Sequence, residues 1–304
     1  MTRWNGTRSV YGAALLGALV AACGNSNNPN NPNNPGSPGN PYGGSPPPAG
    51  TPDAGQPGGT PTMMLGTSSR FGSYLVDGSG RTLYLFALDL PAGGGNPAVS
   101  NCTGSASDMS SCISFWPIFH ADTVNVQGIS ANDVGELTRS SDGIKQTTYK
   151  GFPLYYFRPD ANPGAIGGEA IPDWFVVRSP FYTVMTLSAG GRHRLTDGAG
   201  RSLYFFAQDT VGTPPTSACP GTPGDRTTCV GNWPIFLAST TVAPSNINPA
   251  RMTVFTRASD NKQQSAFDGH PLYYFADDMK PGDDLGLTFP PGLGNWFNID
   301  PAVQ

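Results

Sequence analysis

The chain has 304 residues and a formal net charge of −4, and only 12 % of its residues are charged. It carries no basic run or patch, which excludes nucleic acid as a partner. Its 40 glycines and 31 prolines interrupt every long stretch. No segment after residue 22 keeps a 3.6-residue apolar period, so a helical body is excluded too.

Residues 1–22 read as an export signal. Arg3 and Arg8 give a basic start, and Val10 to Val20 form a short apolar run. That run is too short to span a bilayer and suits a signal-peptide core. It ends in Val20-Ala21-Ala22-Cys23, which resembles a bacterial lipobox with Cys23 as the acylated residue. An ordinary secretory signal cut after an alanine is the other reading. The segment behind Cys23 favours the lipoprotein. Residues 23–62 are almost wholly Asn, Pro, Gly and Ser. Such a stretch buries too little apolar surface to order itself, so a disordered tether is expected. Gly24 is not the aspartate associated with inner-membrane retention, which points to the outer membrane. Without Arg3 and Arg8, and with no acid lost, the remaining chain carries −6.

The body then repeats itself. Residues 74–90 match 194–210, and 137–160 match 255–278. This predicts two tandem units, near 65–180 and 187–301, each long enough for its own core. Leu75 to Phe86 places two apolar stretches around Asp77-Gly-Ser-Gly80, the signature of a β-hairpin. Lys145 to Phe157 predicts a second hairpin turning at Lys150-Gly151. Both recur, around Asp197 and at Asp268-Gly269. The expected fold class is all-β.

One phrase, Y-x-F-x-x-D, occurs four times. It comprises Tyr84, Phe86 and Asp89; Tyr155, Phe157 and Asp160; Tyr204, Phe206 and Asp209; and Tyr273, Phe275 and Asp278. The Tyr and Phe share a strand face and supply core aromatics. The Asp falls at the strand end, where it accepts backbone hydrogen bonds in the following turn. The rival reading has the four carboxylates lining one mouth that binds a cation or a sugar. Four phrases also raise the expectation of four pseudo-symmetric units in a small propeller or barrel.

Cys102 and Cys112 lie ten residues apart, and Cys219 and Cys229 repeat the spacing. In an exported chain this reads as one disulfide per unit, Cys102–Cys112 and Cys219–Cys229. No C-x-x-C pair is present, so no metal site is expected.

Together these residues resemble the bacterial secreted-repeat lipoproteins. The features in common are the lipobox, the paired repeats, Trp116-Pro117 and Trp233-Pro234 after the second Cys, the Pro-Leu-Tyr-Tyr-Phe run and the Y-x-F-x-x-D phrase. The resemblance implies an envelope location and no established activity. The Cys loop here is longer than the family's tighter spacing.

The chemistry-bearing patterns of hydrolases, metalloproteases and nucleotide-binding loops are absent. No catalytic residue and no cofactor is expected. The three histidines, His120, His193 and His270, have no histidine at the matching place in the other unit. His120 with Met109 supplies too few soft ligands to argue for copper. The expected function is a lipid-anchored, non-enzymatic binding or structural module with an envelope protein or glycan as partner. The alternative is an envelope redox or metal-handling protein.

Overall fold

A computed structural model describes residues 62–189, 191–289 and 295–301. The expectations for residues 1–22, for Cys23 and for the tether up to residue 61 lie outside the described residues.

Turn chemistry sets the first reversal. The Asp77 carboxylate accepts the N–H of Ser79 at 2.8 Å and of Arg81 at 2.9 Å. Gly80 sits at φ +83°, where a side chain would be strained. The expected hairpin across this turn exists only as a narrow contact, a bridge between Val76 and Thr82. The main partner of strand Gly72–Asp77 is an upstream strand, Met63–Ser68, paired antiparallel from Met63 opposite Asp77 to Ser68 opposite Gly72. The strand that follows the turn, Tyr84–Phe86, pairs with the distant Trp174–Val176. The Lys150-Gly151 turn is found, with Lys150 at φ 48° and Gly151 at φ 83°. It joins Lys145–Tyr149 to Phe152–Pro153. A third strand, Val134–Thr138, completes that sheet.

The second half uses the same pairings. Val184–Ala189 pairs with Arg192–Asp197, Tyr204–Phe206 with Trp296–Asn298, and Met252–Thr256 with Gln263–Phe267 and then His270–Pro271. Single-turn helices, Cys112–Phe115 and Cys229–Asn232, follow the cysteine loops. Cys102 is bonded to Cys112 and Cys219 to Cys229, each closing its own loop.

The body is therefore mostly strand, in six small sheets of two to four strands among the described residues. No closed barrel or propeller forms among those residues. The reason lies in how the phrases meet. Tyr84 and Tyr155 exchange backbone hydrogen bonds, N to O at 2.9 and 3.1 Å. Tyr204 and Tyr273 do the same at 2.8 and 2.9 Å. Phrases pair two by two inside each half instead of ringing one axis.

One strand belongs to both halves. Val184 packs in the second core with Leu195, Leu203 and Phe267. Its neighbours Met185 and Leu187 point the other way, into the first core beside Leu85, Phe152 and Phe175. Alternation of side chains along a strand makes this double service possible. The Ser188 N–H donates to the Ala87 carbonyl at 2.8 Å and fixes the register of the junction.

Candidate functional site

The pairing of phrases brings each tyrosine to the other phrase's carboxylate. The Tyr84 hydroxyl donates to Asp160, which also accepts the N–H of Gly167 at 2.9 Å and of Gly168 at 3.3 Å. In return, the Tyr155 hydroxyl lies 2.7 Å from an Asp89 oxygen, and Asp89 also accepts the Asn101 N–H at 2.6 Å. The second half repeats the exchange. Tyr204 donates to Asp278 at 2.7 Å and Tyr273 to Asp209 at 2.9 Å. Leu285 N–H completes Asp278 and Ala218 N–H completes Asp209. The four carboxylates thus do accept backbone N–H groups, though from residues seven to twelve positions away rather than from the adjoining turn. All four are buried. They do not line a common mouth, because each is enclosed with the partner phrase of its own half.

A ring stack fills the space between the paired phrases. Phe86 stacks on Trp174 at 4.2 Å, Trp174 on Trp116 at 3.6 Å, and Trp116 meets Phe157 at 4.5 Å. Tyr84 and Tyr155 stand edge-on to Trp116 and Trp174 at 5.4 and 5.1 Å. Phe206, Trp296, Trp233 and Phe275 build the same stack in the second half. The Trp of Trp116-Pro117 and the later Trp174 are thereby explained as one unit.

A buried guanidinium closes the network, and the sequence reading missed it. Arg139 is 1 % exposed. It donates to Ser100, to the Gln146 side chain at 3.1 Å and to the Cys102 carbonyl at 2.7 Å, and it pairs with Asp142 at 3.0 Å. Ser100 in turn lies 2.7 Å from the Tyr155 hydroxyl. Arg257 repeats every contact with Ser217, Gln264, the Cys219 carbonyl and Asp260. The signal was present in the duplicated runs Thr138-Arg-Ser-Ser-Asp142 and Thr256-Arg-Ala-Ser-Asp260. An arginine reads as surface until its partners are known.

Burial dominates the electrostatics. It pushes the Asp89 carboxyl up to about 7 against the bonds from Asn101 and Tyr155 that favour the charge. Asp209 is pushed up to about 6 for the same reason. Burial also raises the phenols of Tyr84, Tyr155, Tyr204 and Tyr273 well above their ordinary range. A carboxyl raised on folding contributes stability that is complete below its unfolded value and lost as pH rises through its folded value. The window for Asp89 therefore runs from about pH 4 to about pH 7. Asp89→Asn is expected to gain stability relative to the wild type across that window, read from urea unfolding at stepped pH. A wild type that instead gains on the variant would show that the hydrogen bonds outweigh burial.

The histidines do not converge. His120 lies 3.0 Å from Glu136 and 3.4 Å from Asp122. His193 lies 3.6 Å from Asp173. His270 rests against the Phe205 ring at 4.7 Å, and burial lowers its pKa. Met109 takes a hydrogen bond from Arg158 at 2.9 Å. Among the described residues, no group of three or more His, Cys, Asp or Glu could hold a metal ion. An open cleft of about 390 Å³ in the second half is lined by Asp197, Phe236, Leu237, Ser239, Thr240 and Tyr274. In the first half His120 stands at the place of Leu237 and Asp122 at that of Ser239. The two halves thus share an interior and differ on this surface.

The chain matches a family described as a secreted repeat of unknown function, at residues 137–178 and again at 253–299. The match occurs once in each half. Each matched segment holds the second phrase of its half and the Trp that enters the ring stack. A secreted repeat fits an extracellular or envelope location. No helix among the described residues is long and apolar enough to cross a membrane. No curated protein and no solved structure matches the chain.

Proposed function

We propose that this secreted-repeat protein is a lipid-anchored module of the cell envelope, outer-membrane in a two-membrane host, that binds or organises partners without catalysis. The observation that carries this reading is the exchange between phrases. Tyr84, Tyr155, Tyr204 and Tyr273 each spend their hydroxyl on a carboxylate of the partner phrase, identically in both halves. The recurring chemistry builds a scaffold. What varies is the surface, where the cleft beside Tyr274 faces an envelope protein or a glycan. A glycan has hydroxyls for Asp197, Ser239 and Thr240 and an apolar face for Phe236 and Leu237.

Anchoring rests on Val20-Ala21-Ala22-Cys23. Cys23→Ala removes the acylation site and leaves the export signal in place. It is expected to move the protein from the membrane fraction to the soluble envelope fraction with an unchanged melting curve. Identical fractionation of the two forms, with no acyl group on the wild type, overturns the anchor. Glycan-panel binding by the wild type tests the module. Turnover of a glycan, or stoichiometric copper, iron or haem in the purified protein, would replace the non-catalytic reading with the enzymatic or redox one.

A further inference from the structure

The junction between the halves has two sides, and each side recurs once more in the molecule. On the first half, the receiving side is Leu85 and Phe175, paired across strands, with Phe152 beside them and the Ala87 carbonyl at the rim. The inserting side is the first hairpin of the second half. It supplies Met185, Leu187 and the Ser188 N–H. All five apolar side chains are at most 2 % exposed.

The receiving side recurs on the second half as Phe205 and Phe297, again paired across strands, with His270 beside them. Phe297 is 41 % exposed where Phe175 is 2 % exposed. Phe205 and His270 are half-buried. Ala207 stands at the place of Ala87. Its N–H is bonded to Asn295, while its carbonyl takes no hydrogen bond among the described residues. Terminal repeats ordinarily present a polar outer face. Here much of the apolar character of the junction is kept: Phe297 equals Phe175, Phe205 is larger than Leu85, and His270 is the more polar counterpart of Phe152.

The inserting side recurs on the first hairpin of the first half. Met64 stands at the place of Met185, Gly66 at that of Leu187 and Thr67 at that of Ser188, since both hairpins share one register. Met64 and Gly66 are half-buried and Thr67 is exposed. Leu85 is replaced by Phe205 on the receiving face, and Leu187 by Gly66 on the inserting face, where the cross-strand Tyr74 ring lies over the glycine.

We infer that copies of this chain associate head to tail, the hairpin Met63–Asp77 of one copy seating on the Phe205–Phe297–His270 face of the next. The Thr67 N–H donates to the Ala207 carbonyl across the contact, as Ser188 donates to Ala87 within the chain. A face-to-face pair using Phe297 twice would set two Ala207 carbonyls against each other with no donor. The head-to-tail contact is heterologous, so it extends copies into short rows instead of closing a dimer.

The test uses the full-length protein in detergent, followed by sedimentation velocity over a concentration series. The wild type is expected to shift to larger species as concentration rises. Phe297→Asp and Met64→Asp are each expected to stay monomeric. Mixed together they are expected to form a dimer that stops there, because one intact face of each kind remains. A wild type that is monomeric throughout overturns the inference. So does a Met64→Asp protein that still self-associates while Phe297→Asp does not, since that marks face-to-face pairing. Melting curves check that both variants fold. A second measurement is independent of them: Thr67→Cys with Ala207→Cys in one chain is expected to give an oxidised ladder that neither single substitution gives. Loss of the ladder in the double variant overturns the inference as well.

Discussion

Tyr84→Ala is expected to lower the unfolding free energy by about 3–5 kcal/mol, read from urea or thermal unfolding. Three contacts go at once. The ring is 0 % exposed, it stands against Trp116, and its hydroxyl is a donor to Asp160. Tyr84→Phe separates them. It keeps the ring and removes the hydroxyl, leaving a buried carboxylate with one partner fewer, which costs about 1–3 kcal/mol. Phe86→Ala is expected to cost less than Tyr84→Ala, because Phe86 is the half-buried outer ring of its stack. Tyr204→Ala and Tyr204→Phe are the matched changes in the second half. A Tyr84→Phe protein as stable as the wild type would show that the exchange between phrases is dispensable. In that case the phrase would have to be explained by ligand binding.

Arg139→Met is expected to cost about 1–3 kcal/mol for each buried acceptor it leaves without a donor. The methionine fills part of the volume and satisfies none of the acceptors. Ser100, Gln146 and the Cys102 carbonyl each lose a donor, and Asp142 is left with its charge. Adding Asp142→Leu to Arg139→Met is expected to recover nothing, because Asp142 is exposed to water and its carboxylate also accepts the Ile144 N–H. Arg257→Met repeats the experiment in the second half, with Ser217, Gln264 and the Cys219 carbonyl as the acceptors left behind. If Arg139→Met melted with the wild type, the guanidinium would have to be serving a surface partner and not the interior.

What was legible in the sequence was local. Asp77 and Gly80 announce their turn within four residues, Lys150-Gly151 within two, and the cysteine pairs within ten. Each of these stands as read. The tandem duplication also announced that the halves share one set of strand pairings. The partners that lie far apart were not legible. Tyr84 finds Asp160 at a separation of 76 residues, and no local signal distinguishes that carboxylate from the nearer Asp89. Strand Met63–Ser68 was missed because its sequence alternates poorly and abuts the Pro- and Gly-rich segment. The stacking of Trp116 on Trp174 was not legible either, because one follows the helix Cys112–Phe115 and the other opens the strand Trp174–Val176. A closed propeller or barrel is not shown. Four equal phrases say nothing about which of them pair, and here they pair two by two within each half.

The strand Val184–Ala189 has a consequence for the order in which this chain becomes stable. Synthesis delivers the N-terminus first, so the first half is free to collapse early. Its core is nonetheless unfinished at that moment, since Met185 and Leu187 are still to come. A chain stopped near residue 180 would expose Leu85, Phe152 and Phe175 to solvent, and a protease would meet it in that state. Completion of the first half waits on the opening hairpin of the second. Once Ser188 has bonded to Ala87, the two halves gain or lose their structure together, and heating registers one transition for the pair.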